Sequence, residues 1–131
     1  MADPREVYAA YLRRCNEHRF DELAKFVAET VVVNGEPVGL PGHAAGLQAV
    51  VNAFADYHGD LRHLLADGLW ISAHLRETGT HTGIWAGIPA TGRRVSTQEL
   101  ALYRLADHKI AEVWVTADNL HVIDQLRCGV R

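Results

Sequence analysis

The chain is poor in the residues that staple, chelate or anchor a protein. Only two of its 131 residues are cysteines, Cys15 and Cys128. That count excludes a disulfide framework, and no C-x-x-C pair suggests a redox or zinc site. Both read as buried packing residues rather than nucleophiles. No apolar run approaches the roughly 18 residues of a bilayer span. The opening Met1-Ala2-Asp3-Pro4-Arg5-Glu6 is polar and lacks the apolar stretch of a signal peptide. A cytoplasmic protein with no membrane partner is expected. Net charge is only −3, which gives no general attraction to a phosphate backbone, so no nucleic-acid partner is expected. Gly-x-Gly-x-x-Gly and Walker patterns are missing, and none of the eight histidines forms H-E-x-x-H. The familiar nicotinamide, nucleotide and zinc enzymes are set aside, and no metal site is expected.

What is present is a globular composition. Hydrophobic residues make up 48% and charged residues 22%, so a packed core is expected and disorder is not. The length predicts a single domain, residues 1–131. Asp3, Pro4 and Glu6 form a helix start with a capping box. Val7, Tyr8, Tyr11, Leu12 and Cys15 share one face of that helix. A short second helix is predicted over Asp21–Ala28 and a strand over Thr30–Val33. Asn34–Gly42, with three glycines and two prolines, reads as a loop. Leu47, Val50, Val51, Phe54 and Tyr57 recur at helical spacing, predicting a helix over about Gly46–Tyr57.

From residue 60 the period changes. Strands are predicted over Leu61–Ala66, Leu69–Thr80, Val95–Leu105 and Ile110–Thr116, with a hairpin turn at Asp67-Gly68 and another at Asp107-His108. A closing helix begins near Asp118. Helices segregated from an antiparallel meander define an α+β fold. Alternation along the penultimate strand puts Val95, Thr97, Glu99, Ala101, Tyr103 and Leu105 on one face. The other face still carries Leu100 and Leu102, and Trp114 falls opposite Val115 on the last strand. Apolar groups on both faces predict that something covers each, and a homodimer through the sheet is the expected partner.

Three segments carry a family resemblance. They are Thr78-Gly79-Thr80-His81-Thr82-Gly83, Gly87-Ile88-Pro89-Ala90-Thr91-Gly92-Arg93-Arg94, and Lys109-Ile110 with a Trp-bearing strand running into Asp118. With Asn16-Glu17-His18-Arg19-Phe20-Asp21-Glu22-Leu23, the chain resembles the SnoaL-like polyketide cyclase family over nearly its whole length. The resemblance implies a cone-shaped α+β barrel of the nuclear-transport-factor-2-like type, its curved antiparallel sheet wrapped around helices and enclosing an apolar cavity. It implies a flat hydrophobic aromatic substrate, no cofactor, and aldol ring closure by acid–base catalysis.

The same resemblance exposes a departure. The cyclases' acid–base aspartate, three residues before the position of Asp118, corresponds to Val115. Their cavity glutamine and histidine correspond to Glu99 and Ala101. Valine cannot transfer a proton. The family also holds relatives implicated in hydroxylating anthracycline-type polyketides without a bound cofactor. The expectation is therefore polyketide tailoring that leans to hydroxylation, a separate reductase preparing the substrate. Cyclisation and plain binding of a hydrophobic small molecule are the alternatives.

Three residues are the catalytic candidates. Glu99 is either a cavity base, its pKa raised by apolar surroundings, or a rim group paired with an arginine such as Arg94. Asp118 is either an acid at the cavity mouth or a helix cap. His81 either faces a substrate oxygen or bonds backbone in its turn. His43 and His63 pose the same question more weakly, and His74, sharing a face with Ser72 and Arg76, points away. Tyr11, Phe26, Phe54, Tyr57, Trp85, Ala101, Tyr103 and Val115 are the expected substrate-binding wall.

Overall fold

A computed structural model describes residues 3–128, with the side chain of Cys128 and residues 129–131 outside the description. The expectation for Cys128 therefore falls outside the described residues, while Cys15 is buried. Helix α1 spans Pro4–Asn16. Asp3 caps it by accepting from the Arg5 backbone N–H at 3.0 Å, one residue short of the capping-box partner. Its apolar face buries Val7, Tyr8, Tyr11 and Cys15.

Two expectations change in the next stretch. Phe20–Lys25 is a 3-10 helix that ends before Val27, not a helix to Ala28. Strand β1 already begins there and runs Val27–Val33. Tertiary pairing overrides the local period: the Ile110 N–H donates to Phe26 O at 2.8 Å, and β1 then pairs parallel with the last strand. Helix α2 spans Gly39–Ala53, so the expected loop is half helix and the helix stops short of Tyr57. Gly39 opens it at φ +70°, with a Cβ position only 3.2 Å from Glu29 O. Pro41 falls in the first turn, where its missing N–H costs nothing.

Four antiparallel strands follow. They are β2 His58–Asp67, β3 Trp70–Thr80, β4 Arg94–Ala106 and β5 Lys109–Ala117. The sheet order is β1-β5-β4-β3-β2. Both expected hairpins form, Asp107-His108 as expected and the first turn one residue later, at Gly68-Leu69, because Asp67 pairs with Trp70; Gly68, Asp107 and His108 have positive φ, as a right-twisted hairpin requires. A register shift between Leu61 and His63 on β2 bends the sheet. Its concave face holds Ile71, Ala73 and Leu75 of β3 and Ala101, Tyr103 and Leu105 of β4 against α1. Helix α3, Asn119–Cys128, closes the other end. Val122 and Leu126 pack there with Ala53, Phe54 and Val95, and Gln125 bonds both backbone groups of Ser96. No helix among the described residues is long and apolar enough to cross a membrane.

Candidate active site

Between the concave sheet, α2 and α3 lies a cavity of about 430 Å³. Leu47, Val50, Phe54, Trp85, Val95 and Val122 supply much of its apolar wall. Phe54 meets Trp85 edge to face at 5.8 Å between ring centroids. β4 and β5 contribute by parity. Glu99 pairs with Ala117, Ala101 with Val115 and Tyr103 with Val113, so these side chains share the concave face. Val115 lines the cavity.

Two polar stations interrupt the apolar wall. The first joins Tyr57, Glu77 and Glu99. Glu77 stands opposite Thr97 and Glu99 opposite Leu75, which makes the two glutamates diagonal neighbours on one face, within reach of long side chains. The Tyr57 hydroxyl donates to Glu77 Oε2 at 2.5 Å, and the Tyr57 carbonyl accepts from His18 Nε2 at 2.8 Å. Burial, then the hydrogen bond and charge of Glu77, hold the Glu99 carboxyl well above the usual carboxylate range. Burial and the glutamate charges likewise push the Tyr57 phenol up. The second station is Tyr11 and His43, their hydroxyl and Nε2 2.9 Å apart. Burial pushes the His43 imidazole down, favouring the neutral ring. Neither Lys nor Arg lines the cavity among the described residues.

The expected site residues divide. Tyr11, Phe54, Tyr57, Trp85, Glu99, Tyr103 and Val115 line the cavity. Glu99 is not paired with Arg94, whose guanidinium lies 3.5 Å from Asp56 instead. His81, Asp118, Phe26 and Ala101 are not brought to the cavity lining. His81 is fully buried, its Nδ1 accepting from the Thr91 N–H at 3.1 Å. Its ring backs Phe54 at 5.4 Å, so it props the cavity wall from behind. Asp118 accepts from the His121 N–H at 3.1 Å and lines a polar groove with Arg62, His74 and Arg76. Phe26 packs against the α1 core under the Arg14 guanidinium. Ala101 is buried within that core. Glu77 is the residue the sequence reading missed. Its signal was present, because Ile71, Ala73, Leu75, Glu77 and Gly79 share a parity and Glu77 is the one charged member.

Comparison with known proteins agrees with this architecture. The family model described as "SnoaL-like polyketide cyclase" matches residues 5–126. The aklanonic acid methyl ester cyclase DnrD of Streptomyces peucetius is 31% identical over 104 residues, 74% of this chain and 72% of that protein. A SnoaL-like polyketide cyclase structure from Agrobacterium tumefaciens superposes with a TM-score of 0.87 at 32% identity, covering 96% of this chain and 99% of that one. AclR of Streptomyces galilaeus, described as a candidate hydroxylase, superposes at 0.86 with 20% identity over 98% of each chain; that likeness speaks for the fold.

Proposed function

The chain belongs to the SnoaL-like polyketide cyclase family, and we propose that within it the protein is an aromatic polyketide tailoring enzyme that hydroxylates an anthracycline-type intermediate. The observation that carries this reading is Val115. It lines the cavity at the position where the resemblance expects the cyclase aspartate, and an isopropyl group moves no proton. The wall is apolar enough for a flat aromatic ligand. Acid–base work falls to the glutamate station, since His81 and Asp118 lie outside the lining.

In the proposed reaction the substrate enters as a hydroquinone delivered by a separate reductase. A cavity carboxylate removes a phenol proton, and the electron-rich anion reacts with oxygen. One oxygen atom enters the ring and the other leaves as water. The hydroquinone supplies both electrons and both protons and ends as the quinone. The cavity excludes bulk water while the anion lives.

Ring closure is the second reading. A cyclase relative at 31% identity favours it, with acid–base chemistry relocated to Glu99 and its neighbours. Incubation with an anthraquinone-type precursor, with and without oxygen and a reductant, separates the readings. Oxygen-dependent mass gain is expected. An isomer or loss of water instead supports cyclisation, and tight binding without turnover supports a binding protein. Val115→Asp adds a carboxyl where the proposed oxidation needs none and should cut the oxygen-dependent product on the order of 10-fold by displacing the substrate. Unchanged product and rate in that variant would remove Val115 from the argument.

Dimerisation through the outer sheet face belongs to the same proposal. Leu65, Trp70, Leu100, Leu102 and Trp114 are all exposed there, a patch suited to a partner surface of about 800 Å². Sedimentation at micromolar concentration should find a dimer, and Leu100→Lys a monomer. A monomeric wild type would overturn the assignment.

A further inference from the structure

The cavity holds two carboxyl groups and no cation among its described lining residues, an arrangement unsuited to a structural ion pair. We propose that Glu77 and Glu99 act as one proton-sharing acid–base pair, Glu77 the acceptor braced by Tyr57 and Glu99 the donor. It rests on the reading of this cavity as the reaction site.

The geometry assigns the roles. Glu77 receives the Tyr57 hydroxyl, a bond that favours its carboxylate form. Glu99 lies diagonal to Glu77 on the same face, and burial beside Glu77 holds its carboxyl above the usual range, so the proton stays on Glu99. Like charges at such range do not both ionise. The other ionisable groups around the pair are Tyr8, Tyr11 and Cys15 from α1, Tyr103 from β4, Tyr57 before β2 and His43 from α2 across the cavity. Burial pushes the phenols and the Cys15 thiol up, and the imidazole down. All are neutral near pH 7, so the pair carries the single charge of the cavity.

That charge state defines a complete cycle. Glu77 takes a proton from the substrate, and Glu99 gives its own to the oxygen where negative charge develops. The pair then holds one proton on Glu77. Its return to Glu99, the diagonal neighbour of Glu77 on the same face, restores the starting state, with no proton gained or lost.

Carbon-13 NMR of the glutamate side-chain carboxyls, in protein labelled on Glu, tests the pair without a substrate. In the wild type one carboxyl should ionise in the acid range while the other keeps its proton past pH 7. Glu77→Gln should lower the Glu99 midpoint by more than about one pH unit, through loss of the neighbouring charge. Tyr57→Phe, which keeps both carboxyls, should leave one carboxyl of the pair protonated past pH 7. Two ordinary titrations near 4.3, or a Glu99 midpoint indifferent to Glu77→Gln, would overturn the pair. Turnover assays keep the two claims apart. Coupled titration with no activity on any anthraquinone would sink the reaction assigned to the cavity and leave the pair. Activity with uncoupled titration would do the reverse.

Discussion

Glu99→Gln should abolish most turnover and yet make the protein more stable at alkaline pH. Loss of an acid that moves a proton in the rate-limiting step costs on the order of 10²–10⁴-fold. The stability gain comes from linkage. Burial and Glu77 raise the Glu99 carboxyl's pKa in the folded state, whereas the unfolded chain ionises it near 4.3. The folded state therefore holds a proton that the unfolded state releases. Its contribution is fully present below the unfolded value and is lost as pH rises toward the folded one. Glutamine carries no such proton. Thermal unfolding of both forms from pH 4.5 to 9 should show a difference that grows with pH. Glu99 is half-buried, so solvent screening trims the gain to about 1–2 kcal/mol by pH 8, or a few degrees in Tm. The buried neutral His43 works in the opposite direction, losing stability as pH falls below the ordinary imidazole range. It does so in both forms and cancels from the difference. Parallel curves across the whole range would mean that Glu99 holds no anomalous proton.

Such a trade of stability for function is written in strand parity. A glutamate among Val95, Thr97, Ala101 and Tyr103 is costly unless it works, and that alternation was legible because period-2 burial is local. The Asp107-His108 turn was legible for the same reason, and the first hairpin was legible to within one residue, its turn falling at Gly68-Leu69. Helix α2 was not legible at its start. Gly39, Pro41 and Gly42 carry loop composition, but Gly39 has the left-handed φ that a turn into the helix needs, and Pro41 tolerates a first turn. The 3-10 segment before Val27 yielded to a parallel pairing with a strand some 80 residues away in sequence, which no local period records. Glu77 fell between these cases. Its inward parity was visible, but its meeting with Glu99 depends on the β3–β4 register, set by the connection over residues 81–93, whose geometry composition does not specify. His81 shows the converse: its residue type suggested chemistry, while its backbone bridge to Phe54 makes it part of the wall's support.

That support is where the largest loss of stability is expected. Gly83 sits against the end of α2. A Cβ there would lie 2.3 Å from Asn52 O and 3.2 Å from Asn52 C, far inside van der Waals contact. The backbone has little freedom to yield, because Ala53 O accepts the N–H groups of both Thr82 at 2.8 Å and Gly83 at 3.0 Å. Gly83→Ala must therefore break those bonds or push the last turn of α2 aside, at about 2–4 kcal/mol. Phe54 follows that turn directly and Trp85 follows Gly83 by two residues, so both walls of the cavity move with it. Affinity for an aromatic ligand should fall along with Tm. Gly46→Ala supplies the contrast within the same cavity. Beyond its chain neighbours and the backbone of its own helix, no described atom lies within 4 Å of its Cβ position, and alanine in mid-helix gains about 0.5–1 kcal/mol. Denaturant unfolding of the two variants should thus move in opposite directions. If Gly83→Ala unfolds with the wild type, the contact between the Thr82–Gly92 connection and α2 is not what holds the cavity open.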